Sequence, residues 1–203
     1  MTDLSRRAIL GAAALLAGCE APAPAEPVNE ISVIAALGST SGKLAFQGHS
    51  FDCMLGRSGI LRDKHEGDGG TPAGVFSLRE VRYRADRFAA PPATRLAVAR
   101  TMPNDGWCDD PHDPNYNRPI TRPYPASSEE MWRADALYDV LAVIGYNDAP
   151  PVPGAGSAIF LHVMRQEDGH GLPTAGCVSL VRADLLAVLA LCGPQTAIRI
   201  STL

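Results

Sequence analysis

Short apolar runs between polar, Gly-containing turns recur along most of the chain, with β-branched residues concentrated in Ile31 to Leu37 and a period near two over Val75 to Tyr83, which is the pattern of strands. The segments Ile31 to Leu37, Lys43 to Phe46, Ser50 to Leu55, Gly59 to Arg62, Val75 to Tyr83 and Arg95 to Arg100 read as strands, with Gly-containing turns between several of them. Ala136 to Tyr146 and Ser157 to Arg165 are the most apolar runs and are expected at the centre of a sheet. Helical spacing is read in one place, Val181 to Cys192, where Leu185, Leu186, Leu189 and Cys192 share a face and Gly193-Pro194 stop the helix. Thr196 to Ser201 is a closing strand. Met102 to Pro125 is long and irregular, and a loop of that length inside a domain is expected to be a lid or a binding loop. One late helix on many short strands predicts a mainly β fold, a sandwich or barrel with a helical cap.

Composition agrees. The 203 residues include 19 Gly and 17 Pro, which is turn-rich, and 46% are hydrophobic, enough for one full core. The net charge of −4 leaves no basic footprint for nucleic acid.

The start of the chain reads as an address. Arg6-Arg7 precede an apolar stretch, Ala8 to Gly18, too short for an ordinary membrane span, and residues 1–18 are expected to be a signal peptide. Leu16-Ala17-Gly18-Cys19 resembles a bacterial lipobox, which implies a lipid on Cys19, and the arginine pair resembles a twin-arginine export signal. Residues 19–29, rich in Ala and Pro, form an extended tether, and the folded domain is expected over 30–203. These resemblances imply an exported protein at the periplasmic face of a bacterial membrane, with Glu20 after the expected lipid site favouring the outer one.

Five cysteines remain to be sorted. Cys192 belongs to the apolar helix face. Cys53 and Cys108 are open to pairing in an exported protein, since sequence does not fix connectivity. No CxxC or HExxH occurs, and His112 with Asp109, Asp110 and Asp113 reads as an acidic surface loop, so neither metal nor cofactor is expected.

Cys177 stands apart, in Thr174-Ala175-Gly176-Cys177-Val178-Ser179. It lies shortly before the predicted helix, whose positive end is expected to lower its pKa. Gly176 allows a close backbone approach, and amides at Gly176 and Cys177 are candidate oxyanion donors. A thiol nucleophile needs a base. His162, in an apolar strand 15 positions earlier, is the candidate. Its other reading is a satisfied core histidine.

His162 with Thr174, Gly176 and Cys177 resembles the active-site signature of the YkuD-type L,D-transpeptidases, a His, a spacer, then Ser/Thr-His-Gly-Cys. Thr71-Pro72-Ala73-Gly74-Val75-Phe76 resembles a second feature of that family, Thr-Pro-x-Gly-x-Phe/Tyr. The chain departs from the pattern at Ala175, where the family has His, at Ser179, and in a short spacer, which marks a divergent subgroup. The resemblance implies cysteine acyl-enzyme chemistry on peptidoglycan stem peptides, with Cys177 as nucleophile, His162 as general acid and base, and Gly176 at the oxyanion turn. Thr174, His170 and Arg165 are candidate substrate contacts. Arg118 and Arg122 are further candidates, since guanidinium groups clamp carboxylates. A hydrolase with the same site and a non-catalytic wall-binding lipoprotein are the competing expectations.

Overall fold

The computed structural model describes residues 29–203. The expected signal peptide, the expected lipid attachment at Cys19 and the expected tether up to residue 28 lie outside the described residues.

Strands β1 (Glu30–Ala35), β2 (Ser41–Phe46), β3 (His49–Met54), β4 (Ile60–Leu61), β5 (Thr71–Pro72), β6 (Gly74–Tyr83), β7 (Ala97–Arg100) and β8 (Asp105–Cys108) make up the first half. They are followed by β9 (Pro119–Thr121), β10 (Ser128–Glu130), β11 (Val140–Ile144), β12 (Phe160–Val163), β13 (Gln166–Glu167), β14 (His170–Gly171) and β15 (Val178–Leu180). Helix α1 (Arg182–Leu191) and strand β16 (Ala197–Thr202) end the chain.

Period-two patterning becomes a closed sheet. Its order is β11-β12-β15-β3-β2-β1-β16-β6-β7, and β6 also pairs with β11, which closes a barrel. Closure leaves no long unpaired edge among the ring strands. Strand β6 makes this possible by its length. Gly74 to Ser77 pair with β16, Glu80 to Tyr83 with β7, and Leu78 to Tyr83 pair with β11 across the opposite edge.

Alternate residues enter the barrel. Ile31, Val33 and Ala35 of β1, Val140, Ala142 and Ile144 of β11, and Leu161 and Val163 of β12 join one buried cluster. Leu185, Val188 and Leu189 of α1 complete it, so the helix caps the barrel as its apolar spacing predicts. Val188, rather than Leu186, is a fully buried member of that face; Leu186 packs against the cluster from its margin.

The out-facing residues of β11 and β12 are buried too, which explains why these runs are apolar throughout. Leu141, Val143 and Phe160 pack with Trp107, Met131, Tyr138 and Cys177 in a second cluster. The cover is the sheet β10-β8-β9. Here the expectation of an irregular Met102 to Pro125 loop is corrected. The segment contributes two strands and buries Trp107, Cys108, Tyr116 and Asn117. Its strands are only three or four residues long and bracketed by Pro, so no periodicity shows. Asn117 pins the cover: its Oδ1 accepts hydrogen bonds from Trp107 Nε1 (2.8 Å) and from the Ala158 amide (3.1 Å).

Cys53 and Cys108 are free thiols. Cys53 faces the barrel core and Cys108 lies in the covering sheet. The acidic group around His112 caps local turns, with Asp110 accepting the His112 amide (2.9 Å) and Asp113 the Asn115 amide (2.7 Å).

Candidate active site

Parallel pairing of β12 with β15 sets the site. Leu161 lies opposite Val178 and His162 opposite Ser179. Cys177, just before β15, and Phe160 and His162 on β12 therefore share the outward face. Cys177 and His162 line one cavity of about 360 Å³ together with Gly176, Thr174 and Arg165. His170 is not among its lining residues and sits exposed on the β13–β14 hairpin. Arg118 borders a separate cavity, and Arg122 faces Glu130 at 3.6 Å.

The turn carrying Cys177 is held by hydroxyl groups. Thr174 Oγ1 donates to the Cys177 carbonyl (2.7 Å) and accepts from the Gly176 amide (3.1 Å). Its backbone is fixed to the β3–β4 turn, with the Thr174 amide on the Leu55 carbonyl and the Arg57 amide on the Thr174 carbonyl. Fully buried Thr71 reaches the same Cys177 carbonyl (3.4 Å) from 106 positions away, and its Oγ1 accepts the Gly56 amide (2.8 Å). Thr174 thus acts as a clamp on the nucleophile turn. The Gly176 amide is engaged by that clamp. Gly176 itself is required by geometry: its φ is +147°, and a Cβ there would stand 2.9 Å from the Gly70 carbonyl oxygen.

The thiol faces the backbone of the segment leading into β12. Cys177 Sγ donates to the Ala158 carbonyl and accepts from the Phe160 amide, each at 3.3 Å. Ala158 adopts a left-handed φ of +52°, unusual for a residue with a Cβ. Among the described residues no hydrogen bond joins Cys177 to His162. The His162 ring bonds through Nδ1 to the Val163 carbonyl (2.8 Å), which makes Nδ1 the protonated nitrogen and leaves Nε2 as the basic one. The Tyr138 ring meets it edge-on with centroids 5.4 Å apart.

The expectation of a thiol activated by the helix is corrected. Strand β15 intervenes, so α1 begins at Arg182 and Cys177 is not at its N-terminus. Burial pushes the Cys177 thiol up to about 12, and the Glu129 carboxylate adds to this, against the Phe160 amide and Lys64. Burial pulls His162 down to about 4, against the hydrogen bond that its Nδ1 donates to the Val163 carbonyl. The site therefore holds a thiol and a neutral imidazole rather than an ion pair.

Several polar cavity residues were not legible as site residues in the sequence, among them Arg57, Glu129, Arg133 and Tyr138. Tyr138 donates to Glu129 Oε1 (2.8 Å), and Arg133 lies 3.6 Å from the same oxygen and bridges to Asp135 (2.8 Å). Burial raises the Glu129 pKa, against its bonds to Tyr138 and Arg133. Arg57, Glu129 and Arg133 lie in polar stretches and Tyr138 in an apolar run, none within a motif, so only the fold gathers them.

Comparison with curated proteins and with solved structures finds no match for the chain. A family model does match: that of the L,D-transpeptidase catalytic domain, YkuD, aligns with residues 40–200. The match takes in the barrel strands from β2 onward, the Thr71 segment and the Cys177 turn, and the chain belongs to the YkuD family of L,D-transpeptidase catalytic domains.

Proposed function

We propose that the protein is a cysteine-dependent peptidoglycan L,D-transpeptidase, exported and held at the periplasmic face of a bacterial membrane by a lipid on Cys19. The observation that carries this reading is the convergence of the Cys177 thiol and the His162 imidazole on one cavity. Family membership supports an enzyme acting on peptidoglycan peptides.

The geometry favours a two-step acyl transfer. Donor binding displaces water from the cavity and brings the scissile carbonyl to Sγ. His162 Nε2 takes the thiol proton as the C–S bond forms, which avoids a standing thiolate in a site that opposes one. His162 then protonates the departing amine and leaves a thioester on Cys177. An amine of a second stem peptide resolves the thioester into a cross-link, and water resolves it into a shortened peptide. The protonated Nδ1, fixed by the Val163 carbonyl, keeps Nε2 aimed at the cavity throughout.

The test is to incubate residues 28–203 with purified monomeric muropeptides and to follow enzyme and products by mass spectrometry, beside Cys177→Ala. A covalent adduct on the wild type together with new dimers is expected, with neither in the variant. Shortened monomers without dimers would make the protein a hydrolase. No adduct and no product, from substrates that another transpeptidase consumes, would leave a wall-binding module.

A further inference from the structure

The second half of the reaction asks for something the dyad does not supply. An acceptor amine is an ammonium ion at neutral pH and must lose a proton before it attacks a thioester. His162 is poorly placed to take that proton as well, since it must accept another as the tetrahedral intermediate collapses. A second basic group in the same cavity is therefore required.

Glu129 has the attributes. It projects from β10 into the cavity that holds Cys177 and His162. Both of its contacts, from the Tyr138 hydroxyl and the Arg133 guanidinium, fall on Oε1. Among the described residues no hydrogen bond engages Oε2. The side chain keeps 29% exposure. Its charge is felt at the nucleophile, where it opposes thiolate formation. An anion that opposes removal of the thiol proton gives the first step nothing, so its place in the cavity calls for a use in the second. The other two cavity carboxylates differ: Glu66 Oε2 is engaged by the Tyr116 and Ser157 hydroxyls, at 2.5 and 2.7 Å, and Asp109 Oδ1, though without a hydrogen-bond partner, is buried where an incoming ammonium cannot reach it.

The geometry points to Glu129 as the residue that receives the acceptor ammonium at Oε2 and deprotonates it, and so directs the acyl-enzyme towards an amine rather than water. The inference rests on the acyl-enzyme reading above. In the step, the ammonium gives one proton to Glu129 Oε2, and the freed nitrogen bonds to the thioester carbon. His162 Nε2 takes a second proton from that nitrogen. The C–S bond breaks and the departing sulfur takes the proton from His162. An amide, a Cys177 thiol and a protonated Glu129 result, and Glu129 releases its proton to solvent.

The experiment uses the same domain with monomeric muropeptides serving as donor and amine acceptor, comparing wild type, Glu129→Gln and Glu129→Asp. Gln keeps the shape and a donor-acceptor pair for Tyr138 but is not basic. The expected result for Glu129→Gln is an acyl-enzyme mass that forms on Cys177 and accumulates, with the ratio of dimers to hydrolysed monomers falling about a hundredfold. Glu129→Asp should recover part of the ratio, and it carries the test if circular dichroism finds Glu129→Gln unfolded. A Glu129→Gln enzyme with the wild-type product ratio, or one that never acylates, overturns the inference. Failure of the wild type itself to acylate overturns the proposed function and this inference with it, which separates the two.

Discussion

The Thr71 hydroxyl offers the sharpest test of how the nucleophile turn is held. Thr71→Val keeps the side chain's shape and removes only the oxygen. Two hydrogen bonds go with it: one accepted from the Gly56 amide at 2.8 Å and one donated to the Cys177 carbonyl at 3.4 Å. The second is long and the carbonyl keeps Thr174 at 2.7 Å, so its loss contributes little. The first leaves a buried amide without its acceptor, since Thr71 is fully buried. An unsatisfied buried donor costs about 1–3 kcal/mol, and about 2 kcal/mol is expected here. For a domain of this size that lowers the melting temperature by about 4–8 °C. Thr71→Ser, which retains the oxygen, should restore most of the loss. The assay is thermal and urea unfolding of wild type and both variants, with Thr174→Val and the Thr71→Val/Thr174→Val double variant completing a cycle. Two hydroxyls on one carbonyl should couple, so the double variant should differ from the sum of the singles by about 0.5 kcal/mol or more. A Thr71→Val protein melting within about 1 °C of wild type would refute the argument that this hydroxyl anchors the turn.

Three further outcomes are expected. Gly176→Ala forces a Cβ against the Gly70 carbonyl at a φ of +147°, and should cost about 2 kcal/mol in urea unfolding and abolish acylation of Cys177; a variant that acylates normally would show that the turn can relax. His162, held near 4 against an ordinary 6.5, binds a proton in the unfolded chain before the folded one, so stability should fall as pH drops from about 6.5 to about 4, by about 3 kcal/mol in all. His162→Gln should lose that component, and identical pH slopes for the two proteins in urea titrations would contradict it. Cys177, pushed up to about 12 from an ordinary 9.0, should react with iodoacetamide at pH 7.5, with no substrate added, about a thousandfold more slowly than an unperturbed thiol; labelling faster than free cysteine would establish a preformed thiolate.

Local physics wrote much of this protein into its sequence. The β-branched apolar run from Ile31 predicts β1, and Ile31, Val33 and Ala35 point into the barrel together because side chains alternate across a strand. The stop at Gly193-Pro194 and the apolar spacing before it determine where α1 ends and which face it buries. Cys177 in its Gly turn and His162 in an apolar run are conspicuous for the same reason: polar or reactive groups in such surroundings need an explanation, and one cavity supplies it. Tertiary structure alone decided the rest. Closure through β6 and β11 depends on pairing between segments far apart in the chain, which no local pattern encodes. The three-stranded cover is hidden by strands too short to show a period. Thr71 meets Cys177 across 106 residues, and Glu129, Arg133 and Tyr138 reach the cavity only because that cover folds over β12. The protonation states follow from the same fact. A motif names the thiol and the imidazole, but burial sets their pKa values, and burial is a property of everything packed around them.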